Sequence, residues 1–513
     1  MITTLGLLGG GGWLLTRVTP GLVPSLSDVV ETGVRSPQGT QQIKVLGDTF
    51  SGYSTFRNAA FQDALADVDI KLQYDDEFDQ AKRAEQLSRG NADIIVTTLD
   101  QYLQHQPDGK IVGLIDRTIG ADAVVLNSKV RPSLTSLLEL NKLVEEARSQ
   151  NRKVGMAFAG DTPSEYLALV LDTKFDDFNL NDFAVTRVAD ASEAWQLMQD
   201  SSKNVAIAII WEPYVTQARQ QGYTVVLSSQ DAPRSIVDVV VASDQLLRSR
   251  PEVVSELLES YYRRIDVNVR DSSQLQAQIA EDGGLDAEDA AAVVDGIEFF
   301  TAAEAHDWLT DGTLERRIEA TAAVLVLAGR LNDVPENMGE LMTVEAIAPA
   351  AQNTETLIEL VRADNPELAE RLQGNQRAVT AAAPDLQAAA VQAAPDIGNL
   401  QVRGEVKFAT GSAQLTGDSQ QTLTQLSKEV AEFNVQTVAV RVIGHTSQTG
   451  SAAFNQSLSQ QRAQVVANYL RSQGLQHNIV AEGQGFSQPL SGVDPGDPSN
   501  QRTEIRLVRV GGT

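Results

Sequence analysis

The sequence predicts an α/β body of two lobes, followed by a small α+β module of β-α-β-α-β order. Three observations carry this. From Ile43 onward, short apolar strands alternate with helices, the pattern of parallel βαβ units. After Leu400 a second compact set of strands and helices begins. The charge changes at the same place: the chain carries -27 overall, but from Leu400 onward 9 Lys+Arg meet 8 Asp+Glu, which leaves -28 in front of it. A near-neutral module behind a strongly acidic body points to separate domains.

Composition excludes several functions. With 42% hydrophobic and 21% charged residues, the 513-residue chain has a soluble globular make-up. The acidic balance argues against nucleic acid as a partner, because like charges repel. No cysteine is present, so disulfides and thiolate metal sites are ruled out. His105, His306, His445 and His477 are far apart and form no HxH or HxxxH spacing, so neither a metal site nor a cofactor is expected. No GxSxG, phosphate loop, HExxH or Cys-His arrangement occurs, and no enzymatic activity is predicted. The pairs Asp75-Asp76 and Asp176-Asp177 read as solvated loop residues.

The elements follow in order. Residues 1–17 are apolar, but Ile2 to Leu15 is too short for a bilayer span of about 20 residues and lacks a basic leader region. The stretch reads as the remnant of a membrane anchor, and residues 18–41 as a linker. In the body, "IKVLGD", "VDIKLQYDD" and "ADIIVTT" read as strands, with helices between them. Three strand-to-helix junctions stand out: "GDTFSGYS" (47–54), "TTLDQ" (97–101) and "AGDTPSEY" (159–166). In the third, Thr162 suits an N-cap, Pro163 the first helical position and Glu165 a capping box. In the second, Thr98 and Gln101 show the same T-x-x-Q spacing. These residues either cap helices only, or converge with free N–H groups on a small anion. Trp211 and Glu212 follow the strand "NVAIAIIW", where the indole either walls a ligand or fills the core.

The ordered pieces "GDTFSGYSTFRNAAF", "LSRGNADIIVTTLDQYL", "VGMAFAGDTPSEYL", "AIIWEPYVTQARQQGYTVVLSS" and "VDVVVAS" resemble a periplasmic substrate-binding protein of the nitrate/sulfonate/taurine/thiamine-precursor class over residues 42–345. The resemblance implies a two-lobed clamshell with the chain crossing back near Ser235. It also implies a cleft lined by Ser51, Gly52, Tyr53, Thr97, Thr98, Thr162, Trp211, Glu212 and Asp238. Arg57 and Arg117 are the nearest arginines, and Glu212 and Asp238 would oppose an anion.

Residues 346–400 are Ala- and Gln-rich. They read as a spacer, helical over 350–376 and a mostly extended tether over 377–400. The module over 401–511 then shows a strand and loop at "RGEVKFATGSAQL", two helices and two further strands. The helices place Leu423, Leu426, Val430 and Phe433, and then Leu458, Val465, Val466, Tyr469 and Leu470, on inward faces. "VKFATGSAQL", "VIGHTSQTGSAAFNQSLSQQRAQVVANYLRSQGL", "AEGQGFSQP" and "NQRTEIRL" resemble an OmpA-like peptidoglycan-associating domain. In that family a G-H-T-D aspartate and an arginine fifteen positions later grip a diaminopimelate side chain. Here the arginine is Arg462, but the aspartate position is Ser447. The closing N-R-R reads Asn500-Gln501-Arg502. The resemblance thus implies peptidoglycan contacts at Thr446, Ser447, Arg462 and Arg502. Loss of a carboxylate–ammonium bond of about 1.5–3 kcal/mol weakens binding roughly 10–100-fold. His445 reads as a residue that shapes the turn.

Together these resemblances imply a periplasmic or cell-envelope protein, and the apolar N-terminal segment, read as an anchor remnant, adds attachment to the inner membrane. It captures or senses a small anionic or zwitterionic solute, is docked weakly on peptidoglycan, and works with an ABC-type permease or another inner-membrane complex. The alternative is a structural or interaction protein of the envelope whose clamshell is a docking platform.

Overall fold

The computed structural model describes residues 40–374, 382–404, 406–408 and 412–511. The apolar segment 1–17 and nearly all of the linker expected over 18–41 lie outside them. No helix among the described residues is long and apolar enough to cross a membrane.

The first lobe begins with β1 (Gln41–Gly47), β2 (Ile70–Asp76), β3 (Ile94–Thr98) and β4 (Gly109–Thr118). The chain then crosses to a second lobe, built on β5 (Asp122–Leu126), β6 (Val154–Ala159), β7 (Phe183–Val188), β8 (Val205–Trp211) and β9 (Thr224–Ser228). It returns through residues 229–236 to β10 (Val237–Ser243) and β11 (Ile297–Phe299) in the first lobe. The sheets have the orders β11-β4-β10-β3-β1-β2 and β7-β6-β8-β5-β9.

The pairing explains where the cleft lies. β1 and β3 are parallel, as are β6, β7 and β8. The strand that follows each crossing runs the other way: β5 is antiparallel to β8, and β10 to β3 and β4. A chain leaving one sheet at its carboxyl edge and entering the next at that same edge must run backwards through it. Both carboxyl edges therefore face each other across the crossings, where ligands bind in open α/β sheets. The central strands read as continuous apolar runs because helices cover both faces, and Val239, Val240 and Val241 are fully buried.

The expected spacer is folded. Helices Ala348–Arg362 and Pro366–Leu372 lie in the stretch expected to be helical, whose residues 375 and 376 fall outside the described residues. The first packs on helix Pro251–Arg270, with Ala350, Ala351, Thr354 and Ile358 buried. Thr354 Oγ1 donates to Asp266 Oδ2 at 2.9 Å. The expected tether is also partly ordered: Ala388–Ala393 is a helix and Asp396–Asn399 is β12.

β12 joins β13 (Val438–Gly444), β14 (Ile479–Gly483) and β15 (Thr503–Arg509) in a sheet of order β12-β15-β13-β14. The strand expected at "RGEVKFATGSAQL" is thus displaced upstream, and the described part of that stretch holds a single bridge, Phe408 to Leu415. Helices Gly417–Val430 and Ala452–Ser472 cover the sheet. In the second helix the buried stripe is Ser459, Arg462, Ala463, Val466, Ala467 and Leu470, while Leu458, Val465 and Tyr469 are only half-buried.

Body and module form one compact unit, Gln42–Thr513. Phe175 meets Phe433 edge-on at 6.1 Å. Asn399 N–H donates to Asp177 Oδ2 at 2.6 Å, and Asp176 N–H to Asn399 O at 3.0 Å. Asp177 is therefore half-buried against the module and not a free loop residue. Burial raises its carboxyl to about 6, while the Asn399 N–H pulls the other way.

Candidate functional site

The carboxyl edge of the first sheet carries a cluster of buried acids. In the antiparallel register Asp238 lies opposite Thr98, and a bulge in the pairing with β4 sets it beside Asp116. Ser51–Tyr53 form a single 3₁₀ turn after β1. Tyr53 O–H donates to Asp238 Oδ1. A Cβ on Gly52 would stand 2.2 Å from Asp116 Oδ2, so only glycine fits against that carboxyl. Asp116 and Asp238 are 0% and 1% exposed, and Asp116 Oδ1, Asp116 Oδ2 and Asp238 Oδ2 have no hydrogen-bond donor. Burial, and then the neighbouring carboxylates, push Asp116 well above the carboxylate range. Burial pushes Asp238 up to about 8 despite the Tyr53 hydrogen bond. Asp122, which pairs with Trp211 in the second lobe, is raised by burial to about 7.

The other expected cleft residues divide. Thr98 is the N-cap of helix Leu99–His105, yet its hydroxyl makes no cap bond and has no well-formed partner, although it leans toward Asp100. Gln101 does not close a capping box; its Nε2 donates to Asp100 Oδ2 at 2.9 Å. Thr97, on the other face of β3, donates to Gln80 Oε1 at 3.0 Å inside the first lobe. Thr162 does cap helix Pro163–Lys174, accepting from Ser164 N–H at 3.3 Å. Glu165 accepts from Asp161 N–H at 2.9 Å and pairs with Arg187 and Arg330. Glu212 caps helix Tyr214–Gln220 from the strand end, accepting Thr216 N–H at 2.9 Å and its hydroxyl at 3.0 Å. Trp211 is half-buried beside the second lobe's core.

Neither nearby arginine serves the cleft. Arg117 is held by Glu298 and Glu304, both at 2.7 Å, and lies over the Phe300 and Trp308 rings. Arg57 donates to Asp48 O at 2.8 Å and pairs with Asp282 at 3.3 Å.

The second candidate site is in the C-terminal module. A Cβ on Gly444 would meet Ser459 O at 2.4 Å, so the end of β13 can press against helix Ala452–Ser472. The following loop is pinned by backbone bonds from His445 N–H to Arg502 O (2.9 Å), Thr446 N–H to Gly485 O (2.8 Å) and Gln448 N–H to Pro495 O (2.7 Å). Thr446, Ser447 and Arg462 are all buried. Arg462 donates to Ser412 O at 3.1 Å and Gln501 Oε1 at 3.3 Å, and lies 4.9 Å from the Phe408 ring centre. Gln501 also donates to Ser447 Oγ at 3.3 Å, bridging the two. Arg462 therefore has only neutral acceptors among the described residues. Phe408, Ser412 and Gln501 belong to this site and were not expected from the sequence. Gln501 stands at the first arginine position of the N-R-R motif, and that was the signal.

Arg502 is directed elsewhere. It binds Glu504 Oε1 at 2.7 Å and Gln488 O at 3.3 Å, with no contact to Arg462. His445 lies 3.3 Å from Glu504.

Residues 407–503 match the model of the OmpA family. Outer membrane protein A of Shimwellia blattae is 41% identical over 92 residues, which is 18% of this chain and 38% of that protein. The chain thus spans little more than a third of that relative. Among solved structures, the alkanesulfonate-binding protein of Xanthomonas axonopodis pv. citri, bound to MOPS, has 14% identity and a TM-score of 0.43, covering 61% of this chain and 98% of its own. A desulfurization enzyme has 13% identity and a TM-score of 0.43, covering 61% and 99%. The two-lobed assignment rests on the sheet orders and the two crossings, not on these likenesses. The chain therefore joins a two-lobed α/β body to a C-terminal module whose residues 407–503 match the OmpA family model.

Proposed function

We propose that this is a cell-envelope protein whose clamshell captures a small solute and whose C-terminal domain docks it on peptidoglycan. The observation that carries the docking is Arg462. A guanidinium held among neutral acceptors, in a setting that disfavours its charge by desolvation, gains most from an anionic ligand. A carboxylate of a wall peptide supplies that charge. Ser447 supplies a hydroxyl where a second charge would complete the grip, so retention is weak.

Pelleting of the full chain with purified sacculi tests this. Arg462→Ala is expected to lower retention about tenfold or more, the value of a charge-assisted bond. Ser447→Asp is expected to raise it. Equal pelleting of wild type and Arg462→Ala sinks the assignment.

A specific observation favours a second reading, the clamshell as a docking platform. The module already packs against residues 173–177 of the second lobe and against the second crossing. Binding of any small solute by the full chain decides against that reading. A permease partner and attachment to the inner membrane belong to the same proposal, and co-purification with a membrane complex tests them.

A further inference from the structure

The cleft floor is built from acceptors that lack donors. The Asp116 and Asp238 carboxyls offer four oxygens, and Tyr53 supplies a donor to one of them. The remaining three, Asp116 Oδ1, Asp116 Oδ2 and Asp238 Oδ2, are joined by the unpartnered hydroxyl of Thr98, which is 4% exposed and not acidic. Carboxylates buried without donors are unstable, so the pair requires a proton or a cation. An ammonium group brings three N–H donors and no acceptor, which matches the three oxygens that lack donors.

The surroundings have one sign. Asp48, Asp100 and Asp122 surround the pair with further acids, and burial raises the phenols of Tyr53, Tyr261 and Tyr262, which keeps them neutral. Arg83 is bound to Asp48 Oδ2 at 2.7 Å, and Arg57 and Arg117 are held as described above. Glu212 adds a further carboxylate from the second lobe, next to Asp122. Nothing here neutralises an anion.

Resting on the solute-capture reading, we propose that Asp116, Asp238 and Thr98 form a receptor for the protonated amine of a small solute. Without that solute, protons on the two carboxyls take its place. The raised affinity of both carboxyls for protons agrees with this. Amine binding must then expel protons from the pair, because an ammonium and a carboxyl proton compete for the same oxygens.

Titration calorimetry of the full chain at about pH 6 tests it, with ethylammonium, 1,4-diammoniobutane and glycine as probes and nitrate and ethanesulfonate as counter-probes. An amine probe is expected to bind and to release protons, read from runs in two buffers of different ionisation enthalpy. Asp116→Asn is expected to weaken amine binding at least tenfold and to lower the number of protons released. Thr98→Val, which leaves the acids intact, weakens binding while retaining the release. Circular dichroism and the melting temperature check that each variant is folded. Binding of nitrate or ethanesulfonate in place of amines overturns the cationic assignment and leaves solute capture standing. Unchanged amine binding by folded Asp116→Asn also overturns the assignment. No heat with any probe overturns both.

Discussion

Asp238 keeps its proton because burial penalises its charged form more than the Tyr53 hydroxyl favours it. Its folded value of about 8 lies far above the ordinary value of about 3.9. A raised acid stabilises the fold at low pH, and that contribution is lost as pH rises through the folded value. The urea midpoint of the body is therefore expected to fall between about pH 5 and pH 8.5, and Asp238→Asn to flatten that slope. An unchanged slope in the variant refutes the assignment. Glu504 has the opposite sign. Burial alone would raise it, but the His445 hydrogen bond and the charges of His445, Arg502 and Arg506 outweigh burial and hold it at about 2. Its contribution is present above the ordinary value of about 4.3 and is lost as pH falls toward 2. The C-terminal module is expected to lose stability in acid, with Glu504→Gln reducing the loss.

The junctions that start helices Leu99–His105 and Pro163–Lys174 look alike in sequence, but only one uses its threonine as a cap. Thr162→Ala is expected to cost about 1 kcal/mol, the usual value of an N-cap. Thr98→Ala is expected to stay within about 0.5 kcal/mol, because no bond is lost. Urea denaturation of both variants compares them directly, and an equal cost would show that Thr98 caps after all. This pair marks the limit of what the sequence tells. Strand and helix order in the body is legible, because apolar periodicity marks it; the return near Ser235 and the grouping of Tyr53, Thr98 and Asp238 come from the family resemblance and not from the residue pattern. Asp116 comes from neither. It sits inside the apolar run "IVGLIDRT", and its partner arrives from a strand more than a hundred residues later. Likewise "DIGN" carries too little apolar pattern to reveal β12, whose pairing with β15 depends on contacts far along the chain. Alternation within "TT" should have turned Thr97 away from Thr98, since neighbours on a strand point to opposite faces.

At the scale of the whole molecule, the C-terminal module lies where the two lobes are joined. Asn434 donates its N–H to Asp231 O at 2.8 Å and its Nδ2 to Gln230 O at 2.9 Å, both in the second crossing. Arg509 pairs with the Asp231 carboxylate and donates to Val225 O at 2.6 Å. Glu432 pairs at 2.5 Å with Arg317 on helix Thr313–Leu327, which also packs on helices Leu99–His105 of the first lobe and Pro163–Lys174 of the second. Lobes that open by bending at the crossings must strain these bonds, so the module restrains the hinge. Bonds to neutral groups contribute about 0.5–1.5 kcal/mol and those to charged groups about 1.5–3. Removing the Asn434 and Arg509 side chains together thus changes a local opening equilibrium by on the order of tenfold or more. Amide exchange in the full-length double variant Asn434→Ala, Arg509→Ala is expected to speed up by that factor over residues 229–236. Helix Gly417–Val430, inside the module, is expected to exchange as before, because its own packing is untouched. If residues 229–236 exchange at the wild-type rate, the module only rests on the hinge. If they speed up, the module and the second crossing form one coupled element, and a ligand bound to the module would change how readily the lobes part.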